Sequence, residues 1–292
     1  MSGQPVLHVG LDVDLLGFTQ LLRRLQIAHR VTEERDAQIL WVADPTLVDE
    51  VRSLYERYPN GDSRGEVSGV RTQVTRPGLK AQLQASPVTA GILVITFIVA
   101  AITLLGDRYE AVRWLTFLDF HLYERYIEYY PMSYSMEQNQ WWRFISPMFL
   151  HFGVLHLAMN SLWFWELGRR IEFRQKGVML LILTLLFSLT ANLVQYWWSG
   201  PALFGGLSGV LYGLLGHCWL FQMLAPTPAY RMPKGVVVMM LAWLAICLTG
   251  VIDILGFGAI ANGAHVGGLM AGCATGILGG LMSRMRQEAR PF

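Results

Sequence analysis

Long apolar runs separated by short charged stretches occupy the chain from residue 81 onward, whereas the first sixty residues switch between apolar and polar positions over short distances. Ala81 to Gly106 contains no Asp, Glu, Lys or Arg, and its Val88 to Leu105 portion is long enough to cross a hydrocarbon core of about 30 Å. Phe144 to Trp165 is a second charge-free run. Gly177 to Tyr230 is charge-free for 54 residues, far more than one helix needs, so it must turn inside, at Ser199-Gly200-Pro201. That break leaves a third span before it and a fourth from about Phe204 to Leu224. Gly235 to Ile252 supplies a fifth. A sixth lies within Ile254 to Ser283, entered through Gly256-Phe257-Gly258 and stopped by Arg284 and Arg286. Six spans put both termini on one side.

The first 62 residues have a different period. Pro5 to Val9, His29 to Glu33 and Ala37 to Ala43 read as strands. Asp14 to Gln26 carries Leu15, Leu16, Phe18, Leu22 and Leu25 at helical spacing, and Asp44-Pro45 starts a second helix that ends at Pro59-Asn60-Gly61. The expected organisation is a polytopic α-helical membrane protein with an amino-terminal α+β cytoplasmic domain over 1–62. A linker at 63–86, a six-span membrane domain over 87–284 and a cytoplasmic tail at 285–292 complete it.

Composition sharpens this division. The chain has 292 residues, 53% hydrophobic and 15% charged, against about 25% charged in an ordinary soluble domain. Residues 1–80 hold 21 of its 44 charged side chains. A net charge of +2 with both signs interspersed provides no nucleic-acid face. Asp12 and Asp14 in place of an uninterrupted apolar stretch argue against a cleaved secretory signal. Cytoplasmic loops collect Lys and Arg. Arg71, Arg76, Lys80, Arg169, Arg170, Arg174, Lys176, Arg231, Lys234, Arg284, Arg286 and Arg290 fall on one side, against Arg108, Arg113, Arg125 and Arg143 on the other. Both termini are therefore expected in the cytoplasm. The outer loop, 107–143, is dense in Trp, Tyr and Phe, side chains that favour the headgroup zone, and is expected to lie half sunk in the outer leaflet. Cys218, Cys247 and Cys273 sit in apolar runs as small buried hydrophobes and offer no disulfide framework.

Polar side chains inside hydrocarbon are costly, which makes each one a functional candidate. His151, His156, Asn160, Ser208, Tyr212, His217 and His265 qualify. His156 and Asn160 share one helical face, as do Ser208 and Tyr212. Glycines at every fourth position, Gly205, Gly209 and Gly213 on one helix and Gly268, Gly272, Gly276 and Gly280 on another, allow close approach. Ser208 and His265 fall at similar depth, so serine as nucleophile with histidine as base is the chemistry this pattern suggests. The Asn160 amide, the His156 ring and the Ser208 backbone N–H are candidate oxyanion donors. Tyr212 is placed to stack on or orient the imidazole. Glu166 and Glu172 fall at the inner end of the second span, leaving Asp253 as the sole candidate carboxylate for a triad, with a Ser/His dyad preferred. Against this stand plainer readings: the glycine runs as simple helix packing, and His151 and His217 as satisfied local polar groups. A haem or electron carrier using paired histidines and a noncatalytic transporter or client binder are the alternatives.

Three segments, 151–160 (HFGVLHLAMN), 205–212 (GGLSGVLY) and 261–268 (ANGAHVGG), resemble the signature segments of rhomboid intramembrane serine proteases, as does Trp142-Arg143 in the outer loop. The resemblance implies Ser208 and His265 as a catalytic dyad, His156 and Asn160 at the oxyanion, and no cofactor or metal. It further implies cleavage of other transmembrane proteins near the outer face of the cell inner membrane. Membrane lipids are the other expected partners, and a weak homo-oligomer is left open.

Overall fold

The computed structural model describes residues 3–34, 36–61, 78–124, 126–254 and 260–288. Most of the linker, the Gly256-Phe257-Gly258 segment and the end of the tail lie outside these. The chain divides into two compact units, 1–78 and 79–292.

In the first unit, β1 (Gln4–Gly10) and β2 (His29–Glu34) flank β3 (Ala37–Val42) in an antiparallel sheet of order β1-β3-β2. Helices α1 (Leu16–Arg24) and α2 (Val48–Arg57) cover one face. Phe18, Leu22, Leu40, Val42 and Val51 are buried together there, the alternating positions of β3 meeting the 3.6-residue faces of both helices. Asp14 accepts a hydrogen bond from Leu16 N at 2.8 Å, so α1 begins two residues later than the apolar pattern suggests. Asp44 accepts from Thr46 N at 3.0 Å and caps a short 3-10 turn, Pro45–Leu47, that leads into α2.

The second unit runs through α3 (Leu79–Ala85), α4 (Pro87–Ile102), α5 (Tyr109–Arg113), a hairpin of β4 (Phe120–Leu122) and β5 (Ile127–Tyr129), and α6 (Met132–Glu137). Then come α7 (Val154–Gln175), α8 (Gly177–Ser199), α9 (Ser208–Leu224), α10 (Lys234–Leu248), α11 (Val251–Ile254) and α12 (Asn262–Glu288). Among the described residues two helices, Gly177–Ser199 and Asn262–Gln287, are long and apolar enough to cross a membrane alone. The pair Leu79–Ala85 and Pro87–Ile102 makes a third if taken as one span, though bent by 104°. The second charge-free run is not one helix. Pro147, in a 3-10 turn, and Gly153, at φ 114°, delay the start of α7 to Val154, and it then runs on through Glu166, Arg169, Arg170, Glu172 and Arg174.

Two of those charges, Arg170 and Glu172, are tied to other parts of the chain. Glu172 is buried and accepts from Val88 N at 2.8 Å, Thr89 N at 2.8 Å and Thr89 Oγ1 at 2.6 Å, capping the first turn of α4. Arg170 pairs with Glu166 one turn away and donates to the carbonyls of Ala229 and Arg231. In the loop 107–143 the buried Arg143 donates to the Arg113 and Thr116 carbonyls and lies 3.4 Å from the buried Asp119 carboxylate. Burial lowers the Arg143 pKa and the Asp119 charge opposes that shift.

At the centre, α9 is buried along nearly its whole first three turns, where Val210, Leu211, Leu214 and Leu215 meet Phe164, Leu167 and Ile171 of α7 and Phe187 of α8. α12 lies directly against α9. A Cβ on Gly268 or Gly272 would overlap the carbonyl oxygen of Gly209 or Gly213, and one on Gly276 would strike the His217 carbonyl. The four-residue glycine spacing thus brings two backbones into contact.

Candidate active site

The fourth apolar segment places Ser208 at the first residue of α9, after the loop Phe204-Gly205-Gly206-Leu207. Gly206 has φ 119°, a conformation open to glycine, and a side chain there would collide with the His156 ring. The loop is pinned by two bonds. Gly206 N donates to the Pro147 carbonyl at 2.9 Å, and Leu207 N lies 3.5 Å from His151 Nε2, whose Nδ1 faces the Phe149 carbonyl at 3.2 Å. His151 is buried and its two nitrogens serve this scaffold.

Across the α9/α12 contact, His265 Nε2 lies 2.8 Å from Ser208 Oγ. Its ring sits 4.9 Å from that of Tyr212, tilted by 46°, while the Tyr212 hydroxyl donates to the Met240 carbonyl at 3.1 Å. Tyr212 therefore touches the imidazole with its face and α10 with its hydroxyl. His265 is 6% exposed, and its Nδ1 has no hydrogen-bond partner among the described residues. Asp253 is in α11, and its side chain lies outside the described residues.

His156 and Asn160 project from the first two turns of α7 toward the same loop. A Cβ built on Gly206 would stand 2.8 Å from His156 Nε2 and 3.6 Å from Asn160 Nδ2. The Asn160 side chain is buried and its Nδ2 has no partner among the described residues. A buried amide N–H without an acceptor costs roughly 1–3 kcal/mol. A small cavity lined by Met148, Asn192, Phe204, Gly206, Ser208 and Ala264 opens beside the serine.

His217 is elsewhere. It lies near the middle of α9, nine residues beyond Ser208, between Gln175 at 3.0 Å and Thr275 at 3.1 Å, a satisfied core group. One set of residues escaped the sequence reading. Ser188 and Asn192 of α8 donate to the carbonyls of Ile145 (3.0 Å) and Phe144 (2.8 Å), and Gln195 Oε1 accepts from Ala264 N at 3.0 Å, the residue before His265. Their spacing on one face of an otherwise apolar helix was the available signal. Among the described residues no cluster of His, Cys, Asp and Glu is suited to hold a metal.

A hydroxyl in hydrogen-bond contact with a buried imidazole, on two glycine-packed helices of an apolar bundle, is the arrangement a serine hydrolase inside a membrane requires. A family model described as the Rhomboid domain matches residues 138–281, and one described as the Rhomboid N-terminal domain matches residues 1–68. The chain is 33% identical over 259 residues to "Rhomboid protease GlpG" of Klebsiella pneumoniae (strain 342), covering 85% of this chain and 87% of that protein. It is 32% identical over 267 residues to the protein of the same name from Serratia proteamaculans (strain 568), covering 87% and 89%. The chain belongs to the rhomboid family of intramembrane serine proteases.

Proposed function

We propose that this protein cleaves peptide bonds of transmembrane substrate proteins near the outer face of the cell inner membrane, through a Ser208/His265 dyad with His156 and Asn160 as oxyanion donors. The 2.8 Å contact between Ser208 Oγ and His265 Nε2 carries the reading. His265 Nε2 takes the hydroxyl proton as Oγ bonds to the scissile carbonyl carbon. The carbonyl oxygen becomes an oxyanion facing His156 Nε2, Asn160 Nδ2 and the backbone N–H of Ser208. The protonated imidazole then gives its proton to the amide nitrogen, the C–N bond breaks, and an acyl-enzyme remains on Ser208. Water, deprotonated by the same imidazole, hydrolyses the ester and restores the serine. In this dyad the packing of the His265 ring against Tyr212 takes the orienting role that a carboxylate has in a triad.

The same reading has six spans, with α4, α7, α8, α9, α10 and α12 as the crossing helices, both termini cytoplasmic, and the aromatic loop 107–143 seated in the outer leaflet. Exposed Trp114, Trp141 and Trp142 support that seat.

The test is labelling with a fluorophosphonate alongside cleavage of a single-span reporter in membranes. Wild type is expected to be labelled on Ser208 and to cleave; Ser208→Ala is expected to do neither while keeping its thermal stability. Cleavage by Ser208→Ala would overturn the proposal.

A further inference from the structure

Strand order β1-β3-β2 leaves β2 at an edge of the amino-terminal sheet, and among the described residues no strand pairs with its outer side. Such an edge is an open template for pairing, usually blunted by charge. Here the charges follow a pattern. The sequence His29-Arg30-Val31-Thr32-Glu33-Glu34 has its basic residues at one end and its acidic residues at the other. Antiparallel pairing with an identical strand therefore sets opposite signs against each other.

The register can be chosen on physical grounds. Two copies of one antiparallel edge are related by a two-fold axis perpendicular to the sheet, so each residue faces one on the same side of the pleat. Centring the axis on Arg30 or on Glu33 stacks like charges, which is destabilising. Centring it on Val31 pairs His29 with Glu33. Centring it on Thr32 pairs Arg30 with Glu34 twice, on the face where Arg30 already lies 5.2 Å over the Trp41 ring and Trp41 Nε1 donates to Thr32 Oγ1 at 2.7 Å. This register alone joins permanent opposite charges on both sides of the axis.

The other face fits as well. Val31 lies opposite Leu40, on the helix-covered side, and together with Leu16, Thr19 and Arg23 of α1 it lines an open groove of about 740 Å³. Leu16 is 60% exposed and Val31 36%, an apolar strip with nothing over it among the described residues. In the Thr32-centred register the residue facing Val31 is the Glu33 of the second copy, beside a groove whose lining includes Arg23.

We propose that a second copy of this chain pairs along β2, centred on Thr32, to make a six-stranded sheet across two amino-terminal domains. Two copies in one membrane present these domains on the same side, and confinement to that surface raises their effective concentration enough for a short interface to form. The proposal is independent of the chemistry assigned to Ser208.

The experiment uses the full chain in native membranes. Thr32→Cys brings two cysteines opposite each other at the axis, at a Cβ separation of about 4.5–5.5 Å. Mild oxidation is expected to give a reducible dimer band from Thr32→Cys, and none from wild type or from His8→Cys on the opposite edge. Adding Arg30→Glu is expected to cut the band several-fold, and adding Glu34→Arg as well to restore it. Variants whose far-UV circular dichroism matches wild type are the ones compared. A missing Thr32→Cys band, an equal band from His8→Cys or indifference to Arg30→Glu would each overturn the proposal. So would a cysteine at 32 that resists maleimide in dilute, monomeric detergent solution, since the edge would then be covered by its own chain.

Discussion

Gly268 of α12 lies so close to Gly209 of α9 that the first carbon of any side chain at Gly268 would occupy the place of the Gly209 carbonyl oxygen. Ser208 precedes one glycine and His265 stands three residues before the other, so this backbone contact sets the separation of serine from imidazole. Gly268→Ala is expected to push the helices apart. Overpacking costs about 1–3 kcal/mol, and a displacement near 1 Å costs about 100-fold in rate. Reporter cleavage and thermal unfolding in detergent should fall together, whereas Gly78→Ala, where a Cβ meets nothing within 4 Å, should change neither.

Asn160 should behave in the opposite way. Its Nδ2 is buried without an acceptor, so removing it relieves a desolvated donor and leaves the resting protein as stable as before or slightly more so. Loss of one oxyanion donor is worth about 10²–10³ in kcat. Asn160→Ala is thus expected to lose activity with an unchanged melting temperature. A parallel drop in both would assign the side chain to the scaffold instead.

Acid should silence the enzyme reversibly. The dyad needs His265 neutral to receive a proton, and imidazoles ordinarily titrate near about 6.5. Activity is therefore present at higher pH and lost as pH falls through the imidazole pKa. The rate of acyl-enzyme formation followed from about pH 8 down to about pH 3 measures it, and a profile flat over that whole range would contradict the role of His265.

Asp253 separates a dyad from a triad. Removing the carboxylate behind a triad histidine costs about 10⁴ in kcat. Asp253→Asn is expected to leave kcat within a few-fold of wild type. A loss of several orders of magnitude would make Asp253 the third member.

Glu172→Gln tests a distant support. The carboxylate takes three hydrogen bonds at the start of α4, and an amide there must turn an NH2 toward at least one N–H. A stability loss of about 1–3 kcal/mol is expected, with kcat retained at low temperature because Glu172 sits at the opposite end of α7 from His156 and Asn160. Denaturation in mixed micelles reads the first and reporter cleavage the second.

The amino-acid sequence by itself determined where charge is excluded, the elements of the small α+β domain, and the candidate residues, because each is a local property. A charge-free run reads as an apolar helix whatever its neighbours are, and Ser208, His265, His156 and Asn160 stand out because polar groups are rare in such runs. Pro147 and Gly153 were visible too, yet their effect on where α7 begins depended on the loop folding back to meet Gly206 through the Pro147 carbonyl. Only the tertiary structure decided that Glu172 caps α4 across 83 residues of chain, that Gln195 holds Ala264, and that Tyr212 spans from His265 to Met240. These are long-range bonds between buried polar groups. Sequence reveals that such a group needs a partner in a medium without water, but which partner it finds follows from how closely the helices pack, and here the glycine contacts of α9 and α12 set that distance.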